Sequence, residues 1–94
     1  MKRLYMSVYR YREGLDEDDR RDLTRKFMEA GTGEGVVAHY ERLDGSGGFL
    51  VQEVADDPES DYENTIRYSP WMDVQIFPVT TIEDAFPVIM RVYG

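Results

Sequence analysis

Polar and apolar positions alternate at the start of the chain, with Leu4, Met6 and Val8 on one side and Tyr5, Ser7, Tyr9 and Tyr11 on the other. A period of two in aromatic and branched residues predicts a strand over Leu4–Tyr11, ended by Gly14. From Asp16 to Ala30 the rhythm lengthens: Leu23, Phe27 and Ala30 recur at helical spacing. Asp16 to Asp19 put acids in the first turn, where the helix dipole favours them, and Gly31 supplies the stop. Val36–Leu43 and Phe49–Val54 predict two more strands. Asp44-Gly45-Ser46-Gly47-Gly48 joins them, a hairpin connection rich in residues that accept positive φ. Asp57-Pro58 combines an N-cap acid with a proline at the first helical position, so a helix should run from there to about Tyr68, before Ser69-Pro70. Trp71–Val79 alternates again as a fourth strand. Thr80-Thr81-Ile82-Glu83 resembles a capping box and starts a short third helix, which Pro87 interrupts. Val88–Tyr93 is read as its kinked continuation, although periodicity alone leaves an added strand open.

The predicted order, β-α-β-β-α-β with a C-terminal helix, is that of an α+β, ferredoxin-like domain with both helices on one face of an antiparallel sheet. At 94 residues the chain has room for one domain, residues 1–94.

Sorting the strand residues by side gives two faces. Leu4, Met6, Val8, Val36, Ala38, Tyr40, Phe49, Val51, Met72, Val74 and Ile76 form a nearly unbroken apolar set, the expected seat for the helices. The other set mixes Tyr5, Tyr9, Tyr11, His39, Glu41, Gln52 and Gln75 with Val37, Leu50, Val54, Asp73 and Phe77. It is too apolar for a fully wetted face and too polar for a closed core. The expectation is that two copies pack these mixed faces together by a two-fold operation, giving a homodimer.

Composition narrows the partners. The formal charge is −8, from 19 acids against 11 bases, which disfavours nucleic acid and anionic membrane. With no cysteine, neither a disulfide nor a thiolate metal site can form. No apolar leader and no 18-residue apolar run appear, so the chain reads as cytoplasmic.

Several structural motifs carry a resemblance. The helix end Phe27-Met28-Glu29-Ala30-Gly31, the hairpin Leu43-Asp44-Gly45-Ser46-Gly47-Gly48-Phe49, Gln52-Glu53 followed by Asp56-Asp57, and later Trp71 and Phe77-Pro78-Val79 resemble a family of small bacterial proteins with no assigned activity, grouped with the dimeric α+β barrels. The resemblance covers nearly the whole chain and implies a ferredoxin-like fold with a face-to-face dimer. Related barrels include cofactor-independent oxygenases, haem-degrading enzymes, aromatic cyclases and stress-responsive proteins, so the fold by itself selects none of these activities.

The candidate chemistry centres on His39, the one histidine. Glu41, two residues on, shares its strand face and suits an orienting carboxylate, while Tyr9 suits a hydrogen-bond donor. These three are the catalytic candidates, with His39 as base in a cofactor-independent monooxygenase, isomerase or cyclase. Tyr5, Tyr11, Gln52, Gln75 and Trp71 are candidates for the wall of a pocket holding a small aromatic or apolar metabolite without catalysis. The plainer reading of the tyrosines is a dimer interface, and of the whole chain a protein-interaction module. A metal set of His39, Glu41 and Asp73 is poor in strong ligands, and haem ligation rests on His39 alone, so no cofactor is expected. Gly31-Thr32-Gly33-Glu34-Gly35 leads from a helix to a strand, the wrong context for a phosphate loop. The Asp16–Asp22 acids lack calcium-loop spacing and read as a solvated helix face.

Overall fold

Why each segment adopts its conformation is visible at its ends. The computed structural model describes residues 3–54 and 58–94, ordered as β1 (Arg3–Tyr11), α1 (Glu17–Ala30), β2 (Val36–Glu41), β3 (Gly47–Val54), α2 (Pro58–Tyr68), β4 (Met72–Val79) and α3 (Ile82–Tyr93). Asp16 caps α1 with a full capping box: its carboxylate accepts from the Asp19 amide at 2.8 Å, and the Asp19 carboxylate accepts from the Asp16 amide at 3.1 Å. These bonds satisfy amides that an α-helix leaves without partners at its start. At the other end the Gly31 amide donates to the Phe27 carbonyl with φ at 65°, a geometry that favours glycine. The β2–β3 turn is held by Asp44, whose carboxylate accepts from both the amide and hydroxyl of Ser46 and pairs with Arg42. Those hydrogen bonds lower the pKa of its carboxyl. Thr81 caps α3, which continues through Pro87 to Tyr93 as one helix. The expected cap at Asp57, and the Asp56-Asp57 pair, lie outside the described residues.

The sheet is antiparallel throughout, in the order β2-β3-β1-β4, so the fold is the expected ferredoxin-like α+β arrangement with an added C-terminal helix. The pairing register corrects the expected faces in two respects. Ser7, Tyr9 and Tyr11 lie opposite Ile76, Val74 and Met72, while Met6, Val8 and Arg10 lie opposite Phe77, Gln75 and Asp73. Residues directly opposite share a face. Met72, Val74 and Ile76 therefore join the tyrosines, and Asp73, Gln75 and Phe77 join the apolar set. Alternation within β4 cannot reveal this, because it separates two sides of one strand without aligning them to a neighbour.

The second correction concerns which face the helices cover. Phe27 of α1 lies with its ring 6.2 Å from that of His39, and α2 ends on Tyr68, whose hydroxyl donates to the Gly31 carbonyl at 2.6 Å. Both helices sit over the mixed, tyrosine-bearing face. That face is therefore not available for packing two copies sheet to sheet. The face left open carries Leu4, Met6, Val8, Ala38, Tyr40, Phe49, Val51, Phe77 and Val79.

Packing between helices and sheet is thin. Among the described residues the buried apolar side chains are Leu50, Val54 and Tyr68, at 6%, 8% and 7% exposure, and no large side chain falls below 2%. α3 buries none of its residues and exposes Ile82, Phe86, Val88, Ile89, Met90, Val92 and Tyr93. The molecule measures 54 × 29 × 16 Å, about twice the ~27 Å of an eight-residue strand along its long axis.

Asp16→Ala removes one half of the capping box and leaves an α1 amide without its acceptor. The expected cost is about 1 kcal/mol, which lowers Tm by roughly 4–8 °C in a domain of this size; thermal circular dichroism measures it.

Candidate functional site

The space that a tightly packed core would fill is a cavity of about 420 Å3 between the two helices and the sheet. Leu23, Phe27, Leu50, Met72, Val74 and Ile76 give it apolar walls, contributed by α1, β3 and β4. Thr32, Asn64, Thr65 and Tyr68 close the side under α2. Ser7, Tyr9, Tyr11, His39, Glu41 and Gln52 form its polar floor on β1, β2 and β3.

Four of these floor residues make one linked cluster. The Tyr9 hydroxyl donates to Glu41 Oε1 at 2.7 Å and lies 2.8 Å from His39 Nε2. The Tyr11 hydroxyl donates to Glu41 Oε2 at 2.5 Å. A phenol has one proton, so with that proton directed to the carboxylate, His39 holds its own on Nε2 and donates to the Tyr9 oxygen. Glu41 is thus an acceptor for two tyrosines, and His39 is a donor into the same chain. The Tyr9 ring meets those of Tyr11 and His39 edge-on, at 6.0 and 5.8 Å between centroids.

Gly48 makes the cluster possible. Tyr9 is on β1 and Glu41 is on β2, with β3 between them, and both lie opposite Gly48. The Tyr9 side chain crosses β3 where that strand has no side chain. A Cβ on Gly48 would collide with the Tyr9 hydroxyl and ring and with the Tyr40 carbonyl. A glycine interior to a strand usually weakens it, and here it marks a close approach by a ring.

Burial, then the neighbouring Glu41 carboxylate, pushes the pKa of Tyr9 and of Tyr11 far above the ordinary tyrosine range. Both effects disfavour a phenolate, so these hydroxyls are donors rather than bases. Burial also raises the pKa of Tyr68, against a smaller opposing effect from Arg67.

Of the residues expected at a site, the structure brings together His39, Glu41, Tyr9, Tyr11 and Gln52. The Gln52 amide nitrogen is engaged in holding the loop before β2, donating to the Thr32 carbonyl at 2.7 Å and to that of Glu34 at 3.3 Å. Three expected wall residues lie elsewhere. Gln75 lies opposite Val8 and so belongs to the open face. Tyr5 shares the tyrosine face but lies opposite Gln52 and Pro78, beyond the end of the cavity. Trp71 leans on Tyr68 at 6.5 Å and is not part of the cavity wall. The His39, Glu41 and Asp73 metal set is split: β2 and β4 are opposite edges of the sheet, and Asp73 pairs with Arg12 at 2.9 Å. Among the described residues no group of three or more metal-ligating side chains converges.

The helix residues at the cavity and Gly48 carry no chemical motif in the chain that marks them as part of a site. Leu23 and Phe27 were visible as the apolar stripe of α1, but their position over His39 depends on how the helix docks.

A ferredoxin-like sheet carrying two helices over a partly polar cavity defines the class of protein. Over residues 3–93 the chain matches a domain of unknown function, DUF3303, and it belongs to that family. No curated protein matches the chain. Among the described residues no helix is long and apolar enough to cross a membrane.

Two outcomes follow from the cluster. Because the fold keeps Tyr9 and Tyr11 protonated above the unfolded tyrosine value of about 10, their contribution is complete below that pH. It is lost as pH rises further and the unfolded chain releases protons that the folded one retains. Denaturation between pH 8 and 11 should show stability falling toward the alkaline end, and less steeply in Tyr9→Phe. Gly48→Ala should cost about 1–3 kcal/mol and break the Tyr9–Glu41 bond; chemical denaturation gives the first, and the tyrosine hydroxyl resonances in NMR give the second.

Proposed function

We propose that the protein binds a small, largely apolar metabolite in the cavity between its helices and its sheet. The observation that carries this is the cavity itself, about 420 Å3 where a core belongs, ending on four hydrogen-bonded polar groups. Protein interiors are normally packed as densely as organic crystals, and space left unfilled forfeits contacts. A volume of this size is within the range of ligand pockets, with apolar walls for affinity and a few placed polar groups for orientation. Binding is favoured over catalysis because Tyr9 and Tyr11 resist ionisation and so act as hydrogen-bond donors that orient a ligand.

The same reading includes a homodimer built through the open face, not through the tyrosine face. The open face is rich in apolar side chains, and a strip of four strands offers roughly 500 Å2 of projected area. A stable interface needs about 800 Å2 per partner, and the exposed apolar residues of α3 are a second apolar surface that pairing can use. Such a pairing places the two sheets back to back and leaves each cavity on the outside, under its own helices.

Native mass spectrometry of protein purified from cells tests both parts at once. The expected species is a dimer of the 11.0 kDa chain with an added small mass released on collisional activation. Val74→Trp, which fills the cavity, should keep the dimer and lose the added mass. A bare dimer would sink the ligand reading, and a loaded monomer at micromolar concentration would sink the dimer.

A further inference from the structure

The charge pattern of the cavity narrows what it can hold. Glu41 is the one Asp, Glu, Lys or Arg side chain among the residues that line it. Its carboxylate is held by two neutral tyrosine hydroxyls, and among the described residues no lysine or arginine nitrogen lies within ion-pair distance of it. Arg20 of α1 is a minor influence on Tyr11. Glu41 is exposed at the cavity's edge, so its negative charge attracts a ligand that carries a positive one beside the apolar walls.

Ring geometry at the same end adds a second reason. Tyr9, Tyr11, His39 and Phe27 stand at steep angles to one another, with interplanar angles of 66°, 74° and 62° along the series of contacts. Rings set this way present faces and edges around a corner rather than a flat stack, the arrangement that surrounds an ammonium group by cation–π attraction. Leu50, Val74 and Ile76 continue from that corner as apolar wall. The net charge of −8 draws cations toward the molecule and repels anions.

We infer that the cavity selects an apolar cation: an ammonium seated at Glu41 and the surrounding rings, carried on an aromatic or alkyl body that lies along Leu50, Val74 and Ile76. This rests on the cavity being a binding site. Carboxylates and phosphates are excluded, since they would place a second negative charge beside Glu41 without a cation to offset it.

Isothermal titration of the full chain with three probes of similar shape tests the inference. They are 2-phenylethylamine, neutral 2-phenylethanol and anionic 3-phenylpropionate. The amine should bind about tenfold or more tightly than the alcohol, and the acid should not bind. Glu41→Gln, which removes the charge and keeps one of the two acceptor oxygens, should bring the amine to the level of the alcohol measured in the same variant. Its unfolding curve would report whether the fold is intact. Equal or tighter binding of the alcohol or acid would overturn the cation and leave the cavity reading standing. Amine binding that persists in Val74→Trp would locate the amine outside the cavity and overturn the inference. Failure of all three probes to bind would overturn it too, while the mass spectrometry decides separately whether the cavity holds anything.

Discussion

The pairing register of β1, the strand held between β3 and β4, is the constraint on which the remaining architecture depends. Opposing Tyr9 to Gly48 on one side and to Val74 on the other sets which residues share a face in three strands at once. A slip of one residue would turn every tyrosine to the open side and every aliphatic residue of β1 toward the helices. The hydrogen bonds from Tyr9 and Tyr11 to Glu41 exist in this register alone, because the absent side chain of Gly48 has to lie under the Tyr9 ring. Local backbone pairing and the polar cluster therefore support the same arrangement.

That register has an energetic consequence. The helices cover a face with hydroxyls, a carboxylate and an imidazole in its floor, so the interior cannot close as an all-apolar core. The fold meets the hydrogen-bonding needs of these groups internally: Tyr68 to Gly31, Gln52 to Thr32 and Glu34, Tyr9 and Tyr11 to Glu41. No buried side-chain nitrogen or oxygen among the described residues is left without a partner. What remains between these bonds and the apolar walls is open volume.

The more hydrophobic surface is turned outward. Leu4, Met6, Val8, Phe49 and Val51 line the open side of the sheet, and α3 exposes Phe86, Ile89 and Met90. The distribution is the reverse of the simplest expectation, in which the most apolar face meets the domain's own helices. The apolar face is left to the outside, and the face with the hydroxyls, the imidazole and the carboxylate lies under the two helices.

Elements and their order were legible in the chain itself, because they arise from short-range physics. Alternation in Leu4–Tyr11, the 3.6-residue stripe of Leu23 and Phe27, the acids of the first turn of α1 and the glycine-rich turn around Gly45 each act within a few residues; the start of α3 was legible too, although its cap is Thr81 on Asp84 and not the Thr80–Glu83 pair. The nearness of His39 and Glu41 was legible for the same reason, since they are two apart on one strand. Their junction with Tyr9 was not, because it crosses an intervening strand at Gly48. The faces of β4, and with them the exclusion of Gln75 from the cavity, followed from a partner strand more than sixty residues away in sequence, and the position of Phe27 over His39 from helix docking. Period and capping belong to the chain; register and docking come from long-range pairing and burial, and tertiary structure alone decided them.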